Sequence, residues 1–192
     1  RWKGQLCIRS SDSVYNQSLV ASMIEVNGID KTESWARGLV QNFARPPTGG
    51  DTDLLKATSA GQCTIALANT YYFGRLINSK ITSERKAAQN LAVFWPNQGA
   101  GDRGVHVNVS GAGVTKHARN INEAISLLEF LVTDESQKWY AEVNNEYPVV
   151  EGAEISKTLE SFGSFKADRI NLTILGVNNP KAVKLMDRAG WR

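Results

Sequence analysis

The chain reads as an α/β protein with largely parallel strands, and two observations predict that class. Over the first half, short apolar and β-branched runs alternate with helical patterns: "QLCIRS" precedes "SVYNQSLVASMIEV", and "CTIALA" precedes "NTYYFGRLI". Strand and helix in alternation indicate a layered fold whose strands run parallel. In addition, 192 residues with 42% hydrophobic content suffice to bury a core of one to two domains.

Each element has a local reason. "QLCIRS" is strand-like, and the run after it carries Val14, Leu19, Val20, Met23 and Ile24 at helical spacing, with Ser13 placed to cap the helix start. In "DKTESWARGLVQNFA", Asp30 and Glu33 have capping-box spacing, while Trp35, Leu39, Val40 and Phe43 form an apolar face. "RPPTGGD" breaks the chain, "TDLLKATSAG" predicts a short helix and "CTIALA" a second strand. Short helices follow to about residue 89, then "LAVFWPN" as a strand, "QGAGDRG" as a turn and "VHVNVSG" as a strand. "NINEAISLLEFLV" and "DESQKWYAEVNN" are amphipathic helices, and a last helix is expected from Pro180 as its first residue.

Composition excludes several classes. No apolar run approaches the roughly 18 residues of a membrane span, and the N-terminus lacks the charged-then-apolar order of a signal peptide. The formal charge is +3, with 22 basic and 19 acidic residues interspersed rather than blocked, which argues against a nucleic-acid partner. "GAGDRG" spells a dinucleotide loop, but a β-patterned run follows where a helix is needed, so it reads as a hairpin loop. His106 and His117 have no second ligand at metal-binding spacing and read as structural. No serine sits in a nucleophile elbow, and Tyr71 is followed four residues later by Arg75 rather than lysine, so no catalytic constellation emerges.

The tyrosines carry the chemistry. Adjacent side chains in a regular strand or helix diverge, so Tyr71 and Tyr72 converge readily only at a strand-to-helix transition, which "ALANTYYFGRLI" supplies. Tyr15 sits at a second such transition, eight residues after Cys7, as Tyr71 is eight after Cys63. If the two strands are parallel neighbours in register, the cysteines align and so do the tyrosines. Neighbouring strands lie about 4.8 Å apart, within disulfide reach. A Cys7–Cys63 bridge is therefore expected, worth roughly 4 kcal/mol in the chain-entropy model and implying an oxidising compartment; two buried free thiols are the other reading. The three phenols then meet at the carboxyl ends of a parallel sheet, where open α/β folds bind ligands. They can pack beside the sheet, stack on a sugar or aromatic ligand, or, as hard oxygen donors, hold Fe(III), which displaces a phenol proton at neutral pH despite a free pKa of about 10. Two helix N-termini aimed at one spot favour the anionic form, and soft metals do not suit such donors.

These stretches, with "FARPPTGGDT", "FWPNQ", "RGVHVNVSGAGVTKHARN" and "NNEYPVV", resemble over nearly the whole chain the ferric-iron-binding proteins of bacterial ABC importers, especially their cyanobacterial branch. The resemblance implies a type II periplasmic binding protein fold closing about a hinge, with Tyr15, Tyr71 and Tyr72 as metal ligands for Fe(III), a permease as partner, a periplasmic location and no catalysis. It also implies that residues 5–107 form the second lobe and that residues 108–192 are crossover and C-terminal segments returning to the first. Family members begin with a further segment that forms most of the first lobe and, in this branch, adds a His-Tyr pair to the iron shell. The chain, which opens on Arg1, is therefore expected to be part of a longer protein, with Leu127, Leu128 and Phe130 exposed. Some members bind an anion beside the iron; Arg9 and Arg45 are candidates by charge, each equally accounted for by a salt bridge. The alternative cargo is an oxyanion or small organic solute held by neutral phenols.

Overall fold

A computed structural model describes residues 2–192, which fall into two compact units. The first comprises the described part of Arg1–Asn108 with Phe165–Arg192, and the second is Val109–Ser164. The sequence reading divides the chain near the same point but groups the C-terminal tail with the segment after residue 107. In the structure, residues 165–192 instead pack with the first unit.

Strands β1 (Leu6–Cys7) and β2 (Ile65–Ala66) pair in parallel, Leu6 opposite Ile65 and Cys7 opposite Ala66. Leu6 also forms a parallel bridge to Phe43 on its other side. The strands are shorter than the apolar runs suggest. The "LAVFWPN" run forms no strand, and Phe94 in it is 85% exposed. From "VHVNVSG" only Val105 pairs, with Ala167. An alternating pattern makes a strand only where a neighbouring backbone supplies the ladder, and none of the described residues does so along these runs. The preceding glycine turn is held by Gly99 N–H donating to Asp102 at 2.9 Å. Gly104 ends it at φ +97°, with the Lys166 carbonyl oxygen 2.6 Å from where a Cβ would stand, so only glycine fits there.

Helix α1 (Val14–Asn27) follows β1, and α2 (Ile29–Val40) follows α1 after the single residue Gly28. Gly28, at φ +79°, serves as both the end of α1 and the cap of α2, so the expected Asp30–Glu33 capping box does not form. Glu33 instead takes Arg37 at 2.7 Å and Arg188 at 2.6 Å. Ser13 occupies the cap position of α1, yet its Oγ makes no cap bond and is buried without a partner. Helices α3 (Asp51–Ser59), α4 (Thr70–Ile77) and α5 (Thr82–Ala88) complete this half of the unit.

The second unit carries α6 (Ile121–Leu131), α7 (Asp134–Trp139) continuing into a π-helical turn (Tyr140–Asn144), and α8 (Lys157–Glu160). No residue of α6 is buried: Leu127 and Phe130 are exposed and Leu128 is half-buried. Among the described residues no helix is long and apolar enough to cross a membrane.

The last helix, α9 (Thr173–Arg188), begins seven residues before Pro180 rather than at it. Proline removes one backbone donor inside the helix, a loss an isolated helix tolerates poorly. Here side-chain bonds to α1 hold the turn before it: Asn178 donates to Glu25 at 3.2 Å and Asn179 to Gln17 at 3.0 Å. Packing of α9 along α1 builds the main core from Ile8, Val20, Ala21, Ile24, Leu185, Met186 and Trp191. Trp191 is 0% exposed, lies edge-on to Phe43 at 6.0 Å and donates from Nε1 to the Arg9 carbonyl at 3.0 Å. Trp191→Ala should cost about 3–5 kcal/mol, the range for a fully buried aromatic. Chemical denaturation should show this as a lower midpoint, and a loss below about 1 kcal/mol would mean that Trp191 is not central to the core.

Candidate functional site

Both tyrosine segments leave the sheet in the same way. Tyr15 is the second residue of α1, after β1, and Tyr71 and Tyr72 are the second and third of α4, after β2. Because the strands are parallel, both helices start on the same side of the sheet. Tyr15 Oη lies 2.8 Å from Tyr71 Oη, and the Tyr71 and Tyr72 rings are 4.2 Å apart at 31°. The three phenols thus meet at two helix N-termini.

The two tyrosine segments do not lie at equal offsets from the paired strands. Cys7 stands opposite Ala66, not Cys63, so Tyr15 lies eight residues beyond its paired position and Tyr71 only five. A turn in the first connection, closed by Ser13 N–H on the Ser10 carbonyl at 3.2 Å, takes up the difference. The disulfide Cys7–Cys63 does form, with Cα atoms 5.8 Å apart, from β1 to the loop just ahead of β2. Its cysteines pack with Leu54 and Ala57 of α3.

Cations face the rings. The Arg75 guanidinium stands over Tyr71 at 5.0 Å and Tyr72 at 5.5 Å, and that of Arg9 over Tyr15 at 5.4 Å. The sequence reading noted Arg75 only as standing where a catalytic lysine would be needed, although its spacing of four and three residues from the tyrosines brings it within reach of both rings. Burial, then the hydrogen bonds from Tyr15 and Tyr72, push the Tyr71 phenol far above its ordinary range, and burial raises Tyr72 as well. Without a ligand this pair is therefore protonated. A hard cation arriving between the oxygens must displace those protons, and the stacked guanidiniums favour the resulting anions.

Of the two anion candidates, the structure brings only Arg9 to the tyrosines. Its Nη1 is 4.0 Å from Asp51 Oδ2, a carboxylate that is almost fully buried. Burial pushes Asp51 upward, against the opposing pull of Arg9 and of the Asn69 N–H groups. Arg45 faces Gln62 at 3.5 Å. Among the described residues no group of three or more His, Cys, Asp or Glu side chains is placed to hold a metal.

His106 is half-buried and His117 is exposed. Ser18, one turn beyond Tyr15, has one hydroxyl proton and two oxygen acceptors within reach, Asn108 Oδ1 and the Tyr15 carbonyl at 3.0 Å. His106 Nε2 lies 3.0 Å from the same Ser18 oxygen. His106 Nδ1 is buried and unpartnered. Arg103 lies close by, paired to Asp168 at 3.0 Å and bonded to Ser22 Oγ at 2.7 Å.

Comparison with known proteins now bears on this geometry. The family model described as bacterial extracellular solute-binding protein matches residues 9–167. The chain belongs to that family. This solute-binding chain is 47% identical over all its 192 residues to iron uptake protein A1 of Synechocystis, covering 53% of that protein. It thus spans about half the length of the curated relatives it matches. Among solved structures, a Trichodesmium protein (IdiA, FutA) in complex with iron and citrate superimposes with a TM-score of 0.95 at 51% identity, over the whole chain and 60% of that structure. A ferric binding protein from Campylobacter jejuni does so at 0.94 and 37%, over the whole chain and 60% of its own. The fold is that of the ferric-binding members, the type II periplasmic binding protein fold.

Burial and the neighbouring Arg103 charge lower His106 to about 4 from an ordinary 6.5. The folded protein therefore keeps it neutral while the unfolded chain takes up a proton as pH falls through 6.5. Stability should decline between pH 6.5 and 4 and be insensitive to this group above that window. His106→Gln, which keeps a hydrogen-bonding group toward Ser18, should flatten this part of a melting-temperature profile. Identical profiles for the two proteins would exclude a buried neutral imidazole.

Proposed function

We propose that this chain is the metal-holding part of a ferric-iron receptor that delivers Fe(III) to the permease of an ABC importer. The observation that carries the reading is the convergence of Tyr15, Tyr71 and Tyr72 at two helix N-termini, with Tyr15 and Tyr71 oxygens 2.8 Å apart. Phenolate oxygens are hard donors suited to a trivalent cation, and the adjoining guanidiniums and helix ends offset the charge they acquire. Relatives named for iron uptake and ferric binding support the cargo. In this reading residues 5–107 form the second lobe of the receptor. The remaining ligands come from a segment preceding this one in the whole protein, and loading takes place in the periplasm.

The role asks for no covalent step. Iron binding exchanges phenol protons for metal-oxygen bonds, and the site's task is to keep Fe(III) from hydrolysis until it is handed over. Arg9, beside Tyr15 and anchored through Asp51, is the better placed of the two arginines to meet an anion bound with the metal; Arg45 has no such placement.

Titration of the full-length protein with ferric citrate should produce a visible phenolate-to-iron charge-transfer band. Tyr15→Phe and Tyr71→Phe should each weaken iron binding by more than the roughly 10–100-fold that loss of an outer-shell partner costs. Binding of an oxyanion or organic solute with no visible band would instead establish neutral phenols as hydrogen-bond donors and overturn the ferric assignment.

A further inference from the structure

The two helices that carry the tyrosines are joined a second time, away from the phenols. Asn108 accepts from Ser18 through Oδ1 and donates from Nδ2 to Asn69 Oδ1 at 3.0 Å. Ser18 lies one turn after Tyr15 in α1, and its Oγ is also 3.0 Å from the Tyr15 carbonyl. Asn69 is the residue immediately ahead of α4, two before Tyr71. The two ends of one amide therefore hold the two helix starts.

We propose that Asn108 is a positioning residue, setting the separation of the Tyr15 and Tyr71 oxygens in the loaded site. The inference rests on the ferric reading above. In the empty site the 2.8 Å bond between Tyr15 and Tyr71 can hold the helices at this distance, but that bond needs a phenol proton. When a metal lies between the two oxygens, that direct bond no longer links the helices. The Ser18–Asn108–Asn69 bridge contains a hydroxyl and two neutral amides, none of which titrates in the ordinary pH range, so it persists when the direct bond is lost. Asn108 is exposed, and hydrogen bonds in contact with water add little net stability. Its effect should therefore appear in metal geometry rather than in folding.

The test compares wild type, Asn108→Ala, Ser18→Ala and the double variant in the full-length protein, with ferric citrate as the probe. Asn108→Ala should weaken iron binding by about 10–100-fold, the cost of losing a group that orients metal ligands. It should also move the charge-transfer maximum while changing the melting temperature by no more than about 3 °C. Ser18→Ala should act in the same direction, and because the two side chains share one bridge the double variant should lose less than the sum of the single losses, Ser18 keeping a separate contact with His106. A wild-type band that Asn108→Ala leaves unmoved, or additive losses in the double variant, overturns the positioning role and leaves the ferric reading intact. Absence of a band in wild type overturns the ferric reading and this inference with it. Should Asn108→Ala fail to fold, Ser18→Ala decides alone: an unmoved band and affinity overturn the proposal.

Discussion

The parallel pairing of β1 with β2 is the constraint on which the rest of the site depends. Parallel neighbours send their chains out on the same side, so the helices that follow must begin side by side. An antiparallel pair would have put Tyr15 and Tyr71 at opposite ends of the sheet. Only two residues of each strand form the ladder, Leu6 with Ile65 and Cys7 with Ala66. So short a ladder holds register weakly by itself. The Cys7–Cys63 disulfide adds a covalent tie at its base, and the packing of α3 beneath the cysteines encloses it.

What the pairing brings together would be unfavourable without compensation. Three phenols and two helix ends form a half-buried polar cluster beside the buried Asp51 carboxylate. Arg9 addresses both sides, lying over the Tyr15 ring and near Asp51, while Arg75 covers the other two rings. The Arg9 backbone is itself pinned: its carbonyl accepts from Asn16 at 2.9 Å and from Trp191 at 3.0 Å. The most deeply buried aromatic of the core thus reaches the edge of the site: Trp191, three residues beyond the end of α9 and far away in sequence, holds the Arg9 backbone. Core packing and site geometry are in this respect one structure.

A second polar layer runs through residues 103–108. Arg103 fastens this stretch to Ser22 and Asp168, His106 to Ser18, and Asn108 to both Ser18 and Asn69. His106 and Asn108 both turn to Ser18 of α1, and Arg103 reaches α1 as well, at Ser22. The backbone, however, makes only the Val105 bridge. Side-chain bonds to α1 replace the ladder that a sheet neighbour would have supplied.

Among the patterns of contiguous residues, those for α1, α3 and the transition at Asn69 matched the folded elements, whereas those at Ser13, Asp30–Glu33 and Pro180 did not become the caps and helix start they suggest. Helical patterns in residues 13–26 and 52–61 pointed to α1 and α3, the strand-to-helix change around Asn69 marked where phenols can converge, and the hard-donor character of tyrosine admitted Fe(III) among the candidate ligands. The tertiary structure alone decided the three-residue offset between the cysteines, since register depends on loop lengths and on what fills the space between strands. It also decided that Gly28 rather than Asp30 starts α2, and that α9 continues through Pro180, because bonds from Asn178 and Asn179 to α1 offset the missing donor. Arg75 lay within reach of helical spacing and could have been read. Asn108 could not: its partners are 90 and 39 residues away, and no local pattern encodes a bond between side chains that only the folded chain brings together.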